Sequence, residues 1–264
     1  MLGAIIGDIA GAPYEFTTIK VKEFEPFLHP NSGITDDSIM TTAIADCLLN
    51  ERQPAEAMRD WARRIKTAPH LGGYGQKFIF WLSAKEVRPP YNSYGNGAAM
   101  RISPAGWLYG SLGKSLEVAR IVTEVTHNHP EGVKGAQAVV MAIFLARTGT
   151  APDDIAAEVA NRYGYDLARS VGECRATHVR NETCPGTVPD ALICALAAKN
   201  FEDAIRNAVS LGGDADTLGA IAGSVAEALF GIPSALRMQA MEYLPEQMIA
   251  VVDQFYGRVR RSVE

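Results

Sequence analysis

The stretch 213–228 reads GDADTLGAIAGSVAEA, and the architecture follows from it. Asp214, Asp216 and the Thr217 hydroxyl stand where an apolar helix takes its first turn, directly after the pair Gly212-Gly213. Behind them, Gly219 and Gly223 lie four apart among Ala215, Ala220, Ala222, Ala226 and Ala228. Small side chains at that spacing let a second helix backbone come very close. Near Met1, Gly3, Gly7 and Gly11 repeat at the same interval, giving a helix with one nearly bare face that Pro13 closes. Each helical glycine costs about 1 kcal/mol relative to alanine. A helix with three of them is tolerable only where other helices pack tightly on the bare face.

Helical periodicity continues along the chain. Met40, Ile44, Cys47 and Leu48 form one stripe, and Leu116, Ala119, Val122 and Val125 another, with Ser115 expected as its cap. Residues 131–147 read as a long apolar helix with Gly149 beyond its end. Met248, Val251, Val252, Phe255 and Val259 mark a final amphipathic helix with basic residues in its last turn. Convincing period-2 runs are absent. Alanine-rich helices joined by Gly/Pro turns therefore imply an all-α fold, and no linker-like stretch divides 1–264 into more than one domain. The loop-rich parts, 16–35, 67–75 and 86–106, are where ligand contacts are expected.

Composition narrows the function classes. At 47% hydrophobic and 21% charged the chain is that of an ordinary globular protein. A net charge of −5, without a Lys/Arg stripe, argues against a nucleic-acid footprint. No apolar run approaches the roughly 18–20 residues that span a membrane. The start MLGAIIGD lacks a basic region and is interrupted by an acid, so it does not read as a signal peptide and a cytoplasmic location is expected. The cysteines fit no zinc spacing and are expected as buried or free thiols.

A second acidic cluster, Thr35-Asp36-Asp37-Ser38, mirrors the first. Asp, Ser and Thr are favoured helix caps, and carboxylates gain from the helix dipole there. Capping needs one side chain, however, and each helix start here carries two acids plus hydroxyls. Four carboxylates brought together repel one another unless they are protonated or bind cations. Two divalent ions would neutralise them, and hard oxygen ligands suit Mg²⁺ or Mn²⁺. The clusters read as halves of one two-metal site.

Residues between the clusters supply further candidates. Glu15 follows the glycine helix, either delivered to the acidic site or exposed just past a helix end. The segment Tyr94-Gly95-Asn96-Gly97-Ala98-Ala99-Met100-Arg101 can turn backbone amides toward a ligand, with Arg101 suited to phosphate and Asn96 to sugar hydroxyls. In Thr126-His127-Asn128-His129-Pro130, histidines two apart are poorly placed to share a metal, and hydrogen bonding to an anion at the helix start is the better reading. His129 reads as an ordinary loop histidine. The loop His70-Leu71-Gly72-Gly73-Tyr74-Gly75 is compatible with base stacking and equally with a plain turn.

In order, GAIIGDIAGAPYEF (3–16), TDDS (35–38), GNGAAMR (95–101), THNHPEG (126–132) and SLGGDADTLGAIAG (210–223) resemble the ADP-ribosylglycohydrolase family, which includes the dinitrogenase reductase-activating glycohydrolases. The resemblance implies a compact all-α domain with two Mg²⁺ or Mn²⁺ ions in a central cleft. It implies ligands at Thr35, Asp36, Asp37, Asp214, Asp216 and Thr217. Glu15 falls where some members carry a carboxylate that switches with substrate. Ser38 replaces the family's usual threonine and preserves the hydroxyl. The chain is short for the family, which implies trimmed specificity loops. The activity implied is hydrolysis of the glycosidic bond between ADP-ribose and an acceptor, either a protein side chain or a small molecule. Asp36 or Asp37 would orient the water and Glu15 would carry the proton. Gly97, Ala98 and Ala99, with Arg101 and His127, would hold the diphosphate. Two alternatives stand beside this activity: a binuclear-metal hydrolase of phosphate esters, and a non-catalytic relative similar to a jellyfish crystallin.

Overall fold

A computed structural model of the chain describes residues 1–17, 20–68 and 70–261, so Thr18, Ile19 and Pro69, inside two of the loop-rich stretches, lie outside the described residues. The described residues form fifteen α-helices and one 3₁₀ turn. The first part of the chain folds as α1 (Leu2–Gly11), the 3₁₀ turn Ala12–Tyr14, α2 (Asp36–Leu49), α3 (Pro54–Arg64) and α4 (Gln76–Ser83). Its middle holds α5 (Gly97–Met100), α6 (Ser103–Trp107), α7 (Leu112–Glu124), α8 (Pro130–Arg147) and α9 (Pro152–Tyr163). The remainder is α10 (Val171–Thr177), α11 (Cys184–Leu196), α12 (Phe201–Val209), α13 (Ala215–Phe230), α14 (Ser234–Met241) and α15 (Glu246–Arg261). The fold is all-α: the described residues pair in β fashion only at an isolated bridge between Gly95 and Thr183.

One hydrophobic core serves all these helices, and α13 runs through its middle against α1, α8, α11 and α12. Every residue of α1 is buried, and so is α13 from Ala215 to Glu227. Helices apolar on all sides belong in such a position. Their glycines explain how they fit. Gly3 faces Gly223, Gly7 faces Gly219, and Gly11 faces Ala215. The pairing descends in one helix as it climbs in the other, so the two run antiparallel, and a methyl group at Gly7 would overlap the Gly219 carbonyl. Antiparallel packing sets the C-terminal end of α1 beside the N-terminal end of α13. Glu15 and Asp214 are thereby brought to one place.

Asp8, in the middle of α1, fixes the third element of the site. It accepts the Thr35 amide at 2.9 Å, the Thr35 hydroxyl at 2.8 Å and the Ser38 amide at 3.1 Å, and the Ser38 hydroxyl also donates to it. A carboxylate on the free amides at the start of α2 satisfies donors that the helix itself cannot. The start of α2 is thus pinned to the face of α1.

Local details depart from expectation in two places. The stripe Leu116–Val125 lies in α7, but Ser111 caps it by accepting the Lys114 amide; Ser115 is buried inside the helix. The Gly-Asn-Gly segment is less open than a loop, because Gly97 begins the one-turn helix α5. All four cysteines are buried and free. No helix among the described residues is long and apolar enough to cross a membrane.

Candidate active site

A cavity of about 540 Å³ opens between the segment that follows α1 and the starts of α2 and α13. Its walls include Glu15, Asp36, Asp37, Asp214, Asp216 and Thr217. Carboxylate oxygens of Glu15, Asp214 and Asp216 lie within 4.8 Å of one another. Both acidic clusters sit at helix starts: Asp36 and Asp37 open α2, and Asp214 precedes α13 with Asp216 in its first turn.

The surroundings of these acids are unequal. Asp214 Oδ2 accepts the Asn96 amide at 2.5 Å, and Asp216 Oδ1 accepts the Thr217 backbone amide at 2.9 Å. Glu15 Oε2 and Asp37 Oδ1 are buried with no hydrogen-bond donor. An ionised carboxylate oxygen in that condition is costly unless a proton or a cation reaches it. The protonation equilibria follow. Burial, together with the charges of Asp8, Asp214 and Glu15, pushes Asp36 up to about 8. Burial and then the Asp216 charge raise Asp37 well above the usual carboxylate range, and burial with Asp214 and Glu15 does the same to Asp216. Glu15 is raised by burial and by the Asp214 charge, with the Arg180 hydrogen bond offsetting part of the rise. Asp8, buried but supplied with donors by Thr35 and Ser38, reaches about 6.

The donor set fits hard divalent cations. It offers clustered carboxylate and hydroxyl oxygens, two of them buried and unpartnered, in a cavity whose acids resist ionising together. Thr35 contributes differently from the rest. Its hydroxyl donates to Asp8 and accepts the Asp37 amide at 3.2 Å, capping α2, and it is not among the residues that line the cavity.

The expected substrate contacts separate in the same way. Asn96, Gly97, Arg101 and His127 line the cavity, whereas Ala98 and Ala99 are buried behind it. The amides of Ala98 and Ala99 donate to the carbonyls of Gly95 and Asn96, at 3.2 and 2.8 Å, closing the turn of α5. Asn96 places its side-chain amide on Asp214 and, at 3.1 Å, on Thr187. Arg101 is buried and donates to Thr126 at 2.7 Å, with its Nη2 3.1 Å from His127 Nδ1. Because guanidinium only donates, Nδ1 must be the accepting nitrogen. Burial and then the Arg101 charge depress His127 well below the usual imidazole range. The ring is therefore neutral, with its proton on Nε2, beside Gly95 and Gly97. His129 caps α8 by accepting the Glu131 amide. Of the glycine loop, Gly73 and Gly75 reach the cavity wall, and Gly72 packs over the Glu15 carboxylate.

Asp8 and Arg180 reach the site without a signal in the sequence. Asp8 carries no motif signal beyond its place in GAIIGD, and its role arises from packing against α2. Arg180 lies in the segment between α10 and α11, far in sequence from either cluster. It reaches Glu15 Oε1 at 3.1 Å and Asp214 Oδ1 at 3.9 Å. A lone arginine between helices gives no sign of such a position.

An all-α domain whose helix starts converge two acidic clusters on one cleft defines a class of protein, and comparison with known chains agrees. This chain belongs to the ADP-ribosylglycohydrolase family, whose model matches residues 1–263. A solved structure titled ADP-ribosylglycohydrolase-related protein complex superposes with a TM-score of 0.73 at 25% identity, covering 98% of this chain and 95% of that one. ADP-ribosylarginine hydrolase Tri1 of Pseudomonas putida is 27% identical over 88% of this chain and 70% of its own length. ADP-ribosylhydrolase ARH3 of Mus musculus is 25% identical over 93% of this chain and 84% of its own length.

Proposed function

We propose that the protein is a metal-dependent hydrolase that cleaves the glycosidic bond between ADP-ribose and an acceptor, releasing free ADP-ribose. Family membership supports the reaction class. The observation that carries the reading at this chain's own residues is the meeting of Glu15 with both acidic clusters in one cavity, two oxygens there lacking any donor. The acceptor is an ADP-ribosylated protein or a small ADP-ribose conjugate, the location cytoplasmic, and the reading stops at the family rather than at the dinitrogenase reductase-activating subgroup.

Asp36, Asp37, Asp214, Asp216 and Thr217 would hold two Mg²⁺ or Mn²⁺ ions, which supply positive charge and Lewis acidity toward sugar hydroxyls and water, while Thr35, its hydroxyl shared between Asp8 and the Asp37 amide, would hold the start of α2 in place for them. The protein's residues supply the rest. Carboxylates crowded beside the anomeric carbon favour the positive charge that develops as the glycosidic bond breaks. Asp36 or Asp37 orients the attacking water. Glu15, whose burial raises it above the usual carboxylate range, carries the proton. His127, neutral and protonated on Nε2, donates to a ligand oxygen beside Gly97, while buried Arg101 keeps the ring in that tautomer.

A turnover screen across defined ADP-ribosylated acceptors tests this reading, with Asp36→Asn and Asp216→Asn beside the wild type. Release of ADP-ribose, lost by at least about 100-fold in both variants, is the expected result. Release of inorganic phosphate instead would move the assignment to phosphate esters, and no turnover on any acceptor would favour the crystallin-like alternative.

A further inference from the structure

We propose that Arg180 is a built-in counter-ion that shares Glu15 and Asp214 with the divalent cations and so limits how tightly the cleft holds them. The proposal rests on reading the cleft as a metal centre and adds an element that reading does not contain.

Arg180 is tied to both halves of the site at once. Its Nη1 donates to the Glu15 backbone carbonyl at 2.6 Å and to the Gly213 carbonyl at 3.4 Å. Its Nη2 lies 3.1 Å from Glu15 Oε1 and 3.9 Å from Asp214 Oδ1. The guanidinium carbon sits 4.7 Å from the centre of the Phe16 ring, which holds the group over the end of the 3₁₀ turn. From the rim, the exposed Glu182 pulls on the same nitrogen at 2.8 Å. The segment is itself held in place, because the Asn96 amide donates to the Glu182 carbonyl at 2.9 Å and the Cys184 amide to the Tyr94 carbonyl at 2.9 Å. Arg180 is therefore anchored rather than a free surface charge.

Two consequences follow from the chemistry of guanidinium. It keeps its positive charge at any ordinary pH, so its repulsion of a nearby cation is permanent. It also engages Oε1 of Glu15 and leaves Oε2, which lies against Gly72, without a donor, which makes it a positioning residue for that carboxylate. A cation drawing on Glu15 or Asp214 must share them with Arg180. Glu182 moderates the competition by taking part of the guanidinium's hydrogen bonding outward.

Calorimetric titration with Mn²⁺ alone, on the full chain, tests this with wild type, Arg180→Gln, Arg180→Lys and Glu182→Gln. Removing a unit charge this close to two carboxylates should tighten Mn²⁺ binding by at least about tenfold in Arg180→Gln. Arg180→Lys, which keeps the charge, should stay within about threefold of wild type. Glu182→Gln, on the exposed rim where substitution leaves the fold intact, should weaken binding by about threefold. Unchanged or weaker binding in Arg180→Gln, or unchanged or tighter binding in Glu182→Gln, overturns the proposal while the metal centre stands. No Mn²⁺ uptake by the wild type overturns both.

Discussion

The two ends of the α1–α13 pair both bury carboxylates, and they treat them in opposite ways. At the end away from the cleft, Glu227 is fully provided for. Its Oε2 accepts the Gly3 amide at 2.8 Å and its Oε1 accepts the Tyr256 hydroxyl, which in turn accepts the Leu2 amide at 3.0 Å. At the cleft end, Glu15 and Asp37 each keep an oxygen with no donor, and Asp36, Asp37 and Asp216 are driven toward protonation by burial and then by the charges of neighbouring carboxylates. The same two helices, packed by the same glycines, carry a closed polar network at one end and an open one at the other. A buried acid whose oxygens are all occupied belongs to the architecture. One that is buried and short of donors is costly to ionise until a proton or a cation reaches it.

The largest expected effect strikes both ends together. Gly7→Leu would force a side chain into the Gly219 backbone, where no flexible group can yield. Overpacking of that kind should cost more than about 3 kcal/mol, read as a collapsed urea midpoint. Retained stability would mean the seam is looser than its geometry.

Next comes the contrast itself. Glu227→Ala strands the Gly3 amide, the Tyr256 hydroxyl and the buried Met1 ammonium 2.7 Å from Oε2, and should cost about 3 kcal/mol. Asp216→Asn, measured in chelator, relieves like-charge crowding and should leave stability within about 1 kcal/mol of wild type or raise it. If the two variants exchanged these outcomes, the distinction between the ends would be broken.

A pH series sharpens the comparison further. Asp8 at about 6 and Asp36 at about 8 lie above the value near 4 of an unfolded carboxylate, so the folded chain holds more protons than the unfolded one between those limits. Their contribution is complete below about pH 4 and is lost as pH rises through 6 and then 8. In chelator, the melting temperature should therefore fall from about pH 5 to about pH 8. Saturating Mn²⁺ favours the ionised acids and should flatten or reverse that slope. A slope indifferent to Mn²⁺ would place the titrating groups elsewhere.

The smallest effect is local to the cleft wall. A Cβ at Gly97 would stand 3.3 Å from His127 Nε2, so Gly97→Val should crowd the one imidazole donor facing the cavity. ADP-ribose binding in Mg²⁺ should weaken by about tenfold, or about 1.4 kcal/mol, with little change in melting temperature. Equal affinity by calorimetry would remove Gly97 and His127 from the ligand's path.

What the chain discloses before folding is the local part. Glycines at 3, 7 and 11 and at 219 and 223 share an interval, and each set announces a close approach; that they approach each other is the step periodicity alone does not take. The acid pairs at both helix starts are legible because capping leaves a surplus of carboxylates. The sequence suggests Ala98 and Ala99 amides turned to a ligand, but Gly-Asn-Gly does not reveal that a helical turn uses them. Asp8 and Arg180 stay hidden for the same reason. Each acts across a contact between segments distant in sequence, and neither position differs in composition from an ordinary helix or loop residue.

The glycine seam also bears on how the molecule comes into being. Gly7 and Gly219 touch across about two hundred residues of intervening chain, so α1 waits until that stretch has been made for the partner that covers its bare face. Contacts of such long sequence separation carry a loop-closure penalty and form late. Until they form, the glycine-rich segment 2–11 has no packing to hold it helical and its apolar residues are exposed, and the cleft acids have no reason to meet. Assembly of the cleft is thus a late event in folding, reached only after the segment at 213–228 has been made.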